Sequence, residues 1–200
     1  SRFPSQAGWF ANSDGFGGEP IPNFEEVLRE PGEDGIGEYL ICDVAGPGAV
    51  VRVWTARIEG TLRVFLDGSR EALYDGPAQD FFQRTYEALD PSLDGPFDGT
   101  YSQAEAGYYP LPFAKRLRME WEGSLAKLHF YQIQVRLYEP GARVTSFHPD
   151  DLVTYETDIA EVAQILAAPG EEWAYGSSRK PVEITATVTA GEEKELLLLE

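Results

Sequence analysis

At 200 residues the chain is long enough to bury a core without metals or crosslinks, and a single domain is the default expectation. Its 34 acidic residues against 16 basic ones give a formal charge of −18, which repels a polyanion over most of the surface and sets aside nucleic acid and an anionic membrane as partners. Cys42 is the only cysteine, so no intrachain disulfide can form, and no run approaches the roughly 18 apolar residues of a membrane span.

In chain order, residues 1–37 are rich in Gly, Pro, Asn and Asp and read as an ordered loop segment packed on the body, with a short helical turn at Phe24 to Leu28. Residues 38–200 read as the body itself. Ser1 to Phe10 has neither the basic start nor the apolar middle of a signal peptide, and the compartment stays open. From Glu38 to Val44 and from Ala49 to Ile58 the chain gains the β-branched and aromatic enrichment of strands, with Gly46-Pro47-Gly48 between them. Glu59-Gly60 then reads as a tight turn into Thr61 to Asp67, which alternates strictly and stops at Gly68. The expectation is that Tyr39 to Ile58 and Leu62 to Leu66 are neighbouring antiparallel strands, with Trp54 largely buried.

Residues 69–111 carry Asp80-Phe81-Phe82 and a long run dense in Asp, Gly and Pro, longer than most connections within a domain and therefore a place to look for function. Strand patterns return at Lys115 to Glu122, where Leu117, Met119 and Trp121 share a face, and at Leu128 to Tyr138, where Tyr131, Ile133, Val135 and Leu137 are the core side. Asp158 with Glu161 fits a capping box ahead of a short helix that ends before Pro169-Gly170. Val182 to Thr189 and Glu193 to Leu199 read as a final hairpin, interrupted where a further domain would follow. About seven strands, one short helix and turns throughout predict an all-β antiparallel jelly-roll β-sandwich with long loops.

Chemistry is harder to place. Two histidines and one cysteine at no ligand spacing give no metal site, and no cofactor is expected. Asp90, Asp94 and Asp98 offer hard oxygens, but without the one-three-five spacing of a calcium loop they read as a solvated loop. No phosphate-cradling Gly loop and no nucleophile elbow occurs. Acidic residues are too plentiful for counting to nominate a carboxylate pair. The aromatic residues outside confident strands, Trp9, Phe10, Phe16, Phe81, Phe82, Tyr101, Tyr108, Tyr109 and Phe113, either stack on sugar rings or pin long loops to the body.

An ordered set of segments carries a resemblance. Asn12-Ser13-Asp14-Gly15-Phe16-Gly17-Gly18, Asp43 to Thr55 around Gly46-Pro47-Gly48, Leu62 to Gly68, Asp80-Phe81-Phe82, Tyr109-Pro110-Leu111-Pro112-Phe113-Ala114-Lys115 and Phe130-Tyr131-Gln132-Ile133 are similar to the opening half of glycoside hydrolase family 172, over Asn12 to Tyr138. The resemblance implies two jelly rolls in tandem, oligomeric assembly, and cleavage of α-linked furanosides such as fructofuranosides and D-arabinofuranosides with retention at the anomeric carbon. It also implies that the two catalytic glutamates belong to second-jelly-roll motifs resembling Glu-Gly-Asp-Glu and Gly-Thr-Gly-Thr-Glu-Asp-Tyr. Neither motif occurs in this chain, so no catalytic residue is carried over.

The expectation is then a first jelly roll that supplies scaffold, oligomer contacts and part of a sugar pocket, with carbohydrate, a second jelly roll of the same polypeptide and further copies as partners. Asp14, Asp80, Phe81 and Phe82 are the candidate substrate-binding residues, because carboxylates accept sugar hydroxyls and rings cover a sugar's apolar face. The competing reading makes both phenylalanines core residues and Asp80 a turn cap. Glu19-Pro20 after Gly18 departs from the family pattern and weakens the case for Asp14. The alternative for the whole chain is a stand-alone carbohydrate-binding or assembly module without catalytic activity.

Overall fold

The computed structural model describes residues 24–91, 101–103, 105–167 and 191. The chain divides after Ala167 into two compact units, of which the first holds every strand and helix described below.

Two antiparallel sheets form this unit. The first contains β1 (Glu26–Arg29), β2 (Ile36–Ala45), β4 (Thr61–Leu66), β5 (Tyr74–Pro77) and β9 (Arg116–Ser124), in the order β1-β2-β9-β4-β5. The second contains β3 (Gly48–Ile58), β6 (Ser102–Gln103), β7 (Ala106–Gly107) and β10 (Leu128–Leu137), in the order β10-β3-β7-β6, with β8 (Leu111–Phe113) also paired to β3. Short helices α1 (Ala78–Gln83), α2 (Thr85–Leu89), α3 (Asp151–Thr154) and α4 (Glu156–Ala167) lie outside the sheets. The fold is an all-β antiparallel sandwich, as the alternation predicts, with more helical turns than expected.

The core follows from period-2 alternation read across neighbouring strands. In the first sheet three rows run inward: Tyr39, Trp121 and Leu62; Cys42, Met119 and Val64; Val44, Leu117 and Leu66. Leu117, Met119 and Trp121, which share a face as predicted, are fully buried. Ile41 is the extra residue of a bulge in β2, which restores the inward phase for Cys42. In the second sheet Val50, Val53, Thr55 and Ile58 face inward from β3, opposite Val135, Ile133, Tyr131 and Leu128 of β10. A bulge at Val51 shifts the phase between Val53 and Val50. The Thr55 hydroxyl meets its hydrogen-bonding need by donating to the Phe130 carbonyl at 2.9 Å.

Several expectations need correcting. Residues 26–29 form a strand against β2, with Val27 opposite Tyr39, instead of continuing a helical turn. Gly46 to Gly48 and Glu59-Gly60 are not hairpin turns: each carries the chain from one sheet to the other, so β2, β3 and β4 are not neighbours in one sheet. Trp54 is only half-buried, because its neighbours Val53 and Thr55 take the inward positions; the fully buried indole is Trp121. Leu137, expected on the core side, ends β10 opposite Gly48 and is 57 % exposed. The predicted helix is α4, but it begins at Glu156, so Asp158 and Glu161 lie inside the helix and do not form its capping box. The hairpin expected at 182–199 lies outside the described residues.

The arch at Glu59-Gly60 wraps the Trp121 ring, whose Nε1 donates to the Glu59 carbonyl at 2.9 Å. Gly60 has φ +107°, and a Cβ there would stand 2.2 Å from the Glu122 carbonyl. Gly68 has φ +78° with open space around it. Gly68→Ala should therefore cost about 1 kcal/mol of backbone strain. Gly60→Ala adds a backbone collision and should cost about 3 kcal/mol or more. Urea denaturation of the two variants checks the difference.

Candidate functional site

Of the sequence candidates, Asp14 lies outside the described residues. Asp80, Phe81 and Phe82 are consecutive on α1 and are separated by its geometry. Phe81 and Phe82 turn inward and are fully buried, with Phe81 5.1 Å from the Tyr74 ring and 6.5 Å from Phe82. Neither ring presents a face to a ligand, so the competing reading of both as core residues holds. Asp80 points outward with its side chain 45 % exposed and accepts from Arg84 at 3.3 Å, one turn on. It is not a cap: Pro77 holds the N-cap position and no side chain caps this helix.

The other loop aromatics divide the same way. Tyr101, Tyr109 and Phe113 are buried, as is Tyr86 of α2. Tyr86 lies 4.7 Å from Tyr109, 5.8 Å from Tyr101 and 6.0 Å from Phe147 between ring centres. Their hydroxyls tie down passing backbone: Tyr86 donates to the Pro110 carbonyl at 3.1 Å and Tyr101 to the Ile159 carbonyl at 2.6 Å. Burial raises both phenols above their ordinary value, so they serve as neutral donors. These rings pin the long connections to the body. Tyr108, half-buried, is the exception; Trp9, Phe10 and Phe16 lie outside the described residues, as do Asp94 and Asp98.

The acidic groups of the first sheet's outer face are engaged by arginine. Glu38 and Glu122 stand directly opposite each other on β2 and β9, and Arg63 reaches both at 3.0 Å. Arg29 adds pairs to the same two glutamates at 3.9 and 3.6 Å. Arg63 also reaches Asp75 at 3.6 Å. Further along, Asp43 accepts from Arg116 and lies 3.6 Å from Arg118, which binds Glu120 at 2.5 Å. The hydrogen bond from Arg116 holds the Asp43 carboxyl below its ordinary value of 3.8. This lattice crosses the sheet from β1 to β5, and each carboxylate it engages lies within ion-pair distance of a guanidinium group. Among the described residues no group of three or more His, Cys, Asp or Glu is placed to hold a metal ion, and no helix is long and apolar enough to cross a membrane.

A second carboxylate knot is structural. Asp67 and Gly68 both have positive φ in the turn closed by Ser69 N–H to the Leu66 carbonyl at 2.9 Å. The Asp67 carboxylate accepts the backbone N–H groups of Lys115 at 2.6 Å and Arg116 at 3.2 Å and the Ser146 hydroxyl. Partial burial opposes ionisation, but the Ser146 and backbone hydrogen bonds outweigh it and hold the group below its ordinary value of 3.8. A carboxylate depressed in the folded state contributes stability that is full above the unfolded value and is lost as pH falls through the folded one. Asp67→Asn should cost about 1–3 kcal/mol at pH 7. The gap to the parent should narrow as pH drops below about 4, which urea midpoints at pH 7 and pH 3 measure.

What the sequence missed is the outer face of the second sheet. Arg52 and Trp54 of β3 stand opposite Gln134 and Gln132 of β10. Arg52 Nη1 donates to Gln132 Oε1 at 3.0 Å, and its guanidinium carbon lies 5.7 Å from the centre of the Tyr108 ring. The sequence signal was the shared face of Gln132, Gln134 and Arg136, set against a Trp54 assigned to the core.

No curated protein matches the chain. The family model described as the GH172 first beta-sandwich domain matches residues 1–155, which contain both sheets and the arches that join them. With its sandwich built and its match covering more than three quarters of its length, the chain belongs to glycoside hydrolase family 172, as the first β-sandwich domain of that family.

Proposed function

We propose that this domain is the scaffold half of a retaining furanosidase-type hydrolase acting on α-fructofuranosides or D-arabinofuranosides, with both catalytic glutamates supplied by a second jelly roll. The observation that carries the reading is the match to the first β-sandwich domain of the family, taken with the arginine lattice that occupies the acidic face of the first sheet. A retaining mechanism needs two carboxyl groups about 5 Å apart with freedom to act as nucleophile and acid/base. A guanidinium neighbour favours the ionised form of a carboxylate and so disfavours the acid role in that pair. Exposed apolar side chains at Tyr155, Val162 and Ile165, beside and along α4, support a contact with another domain or subunit. Asp80 remains a candidate for one wall of the sugar pocket because its carboxylate faces outward; Phe81 and Phe82 act beneath it as packing.

The 200-residue chain alone should hydrolyse aryl furanosides no faster than buffer, and turnover that disappears on replacing a glutamate of this chain would place the active site here. In the complete enzyme Asp80→Asn should change stability by no more than about 0.5 kcal/mol, since it removes only an exposed i,i+4 pair, while lowering kcat/KM. Unaltered kinetics would take Asp80 out of the pocket.

A further inference from the structure

The two outer faces of the sandwich differ in how many of their arginines meet carboxylates: on the second sheet Arg57 of β3 does, with Glu59. On the first sheet Arg29, Arg63, Arg116 and Arg118 each meet a carboxylate. On the second, Arg52 and Arg136 meet none among the described residues and lie over tyrosine rings instead, Arg52 at 5.7 Å from Tyr108 and Arg136 at 5.8 Å from Tyr138. Two guanidinium groups on one sheet face without acid partners among the described residues preserve positive charge there.

The neighbours of Arg52 are suited to a ring of carbon and hydroxyl. Trp54 is two residues along on the same face of β3, half-buried, with Gln132 directly opposite; Gln134 is opposite Arg52. Gln132 and Gln134 are exposed, and Gln132 already orients the guanidinium through the 3.0 Å bond to Nη1. An indole offers an apolar face for the C–H side of a sugar, amides offer both donors and acceptors to hydroxyls, and a preoriented guanidinium with remaining N–H groups takes a carboxylate in a two-pronged bond. These four side chains project from two paired strands, so the constellation is held by a sheet and not by a loop.

We infer that the outer face of the second sheet is a glycan-binding site that takes a largely neutral oligosaccharide bearing one uronate, with Trp54 under the sugar ring and Arg52 on its carboxylate. A single uronate satisfies the local positive charge without exposing an extended polyanion to a chain of net charge −18. The inference does not depend on where the catalytic glutamates sit, since it concerns binding and not turnover.

The test uses the intact protein and two probes that differ only in the acid: glucuronosyl-xylotriose and xylotriose, titrated by tryptophan fluorescence and calorimetry. Binding of the acidic probe should be saturable, weaken with added salt, and exceed that of the neutral one by about tenfold, the contribution of one charge-assisted pair. Arg52→Gln should erase that tenfold preference, and Trp54→Ala should abolish binding of both. Gln134→Ala, at an exposed position, gives a variant whose folding is not in question and should weaken both probes about equally. The inference is overturned if neither probe binds, if the preference survives Arg52→Gln, or if Arg52→Gln and Trp54→Ala instead dissociate an oligomer in sedimentation, which would make this face a protein interface.

Discussion

The burial of β9 between β2 and β4 is the constraint on which the rest depends. Its inward side chains Leu117, Met119 and Trp121 are fully buried and stand in register with partners on both sides. A strand bonded on both edges cannot slip by one residue without turning this row toward water. Trp121 extends the constraint beyond its own sheet, because its indole N–H holds the Glu59 carbonyl at the point where the chain leaves β3. The Tyr39, Phe24 and Tyr131 rings continue the packing from there: Tyr39 lies 5.4 Å from Trp121 and 4.3 Å from Phe24, which in turn lies 6.4 Å from Tyr131 of the opposite sheet. One row of side chains thus fixes the first sheet's register, the position of an arch and the contact between layers.

Charge is arranged on top of this frame and divides the molecule's surfaces by task. Arginines and carboxylates interleave across the first sheet's outer face, so the repulsion expected between Glu38 and Glu122 becomes a shared grip on Arg63. Individually such part-exposed pairs add little stability. Their effect is to leave that face electrostatically closed, while the second sheet presents amides, an indole and two guanidinium groups, those of Arg52 and Arg136, without acid partners among the described residues.

The residues made some of this legible and hid the rest for definable reasons. Alternation at Lys115 to Glu122 named the inward row correctly because burial and period coincide there. The pairing of strands was not legible: Glu59-Gly60 satisfies the local requirements of a hairpin and of an inter-sheet arch equally, and the choice is made by Trp121, 62 residues from Glu59 in sequence. Hydrophobicity alone places the Trp54 indole inside, whereas the phase set by Val53 and Thr55 turns it outward. Phe81 and Phe82 looked available because they lie in a long connection, but a six-residue helix there points them at Tyr74 and the core. The family resemblance, carried by ordered segments, survived these local errors because it did not depend on which strands pair.

The proposed function divides the labour, with bond cleavage assigned to a second jelly roll and not to this domain. A mechanism-based furanoside inactivator that leaves a covalent sugar on the nucleophile, followed by peptide mass spectrometry of the complete enzyme, tests that division directly. The expected result is a modified glutamate in a peptide outside this chain's 200 residues. A sugar found on any carboxylate of this domain would contradict it.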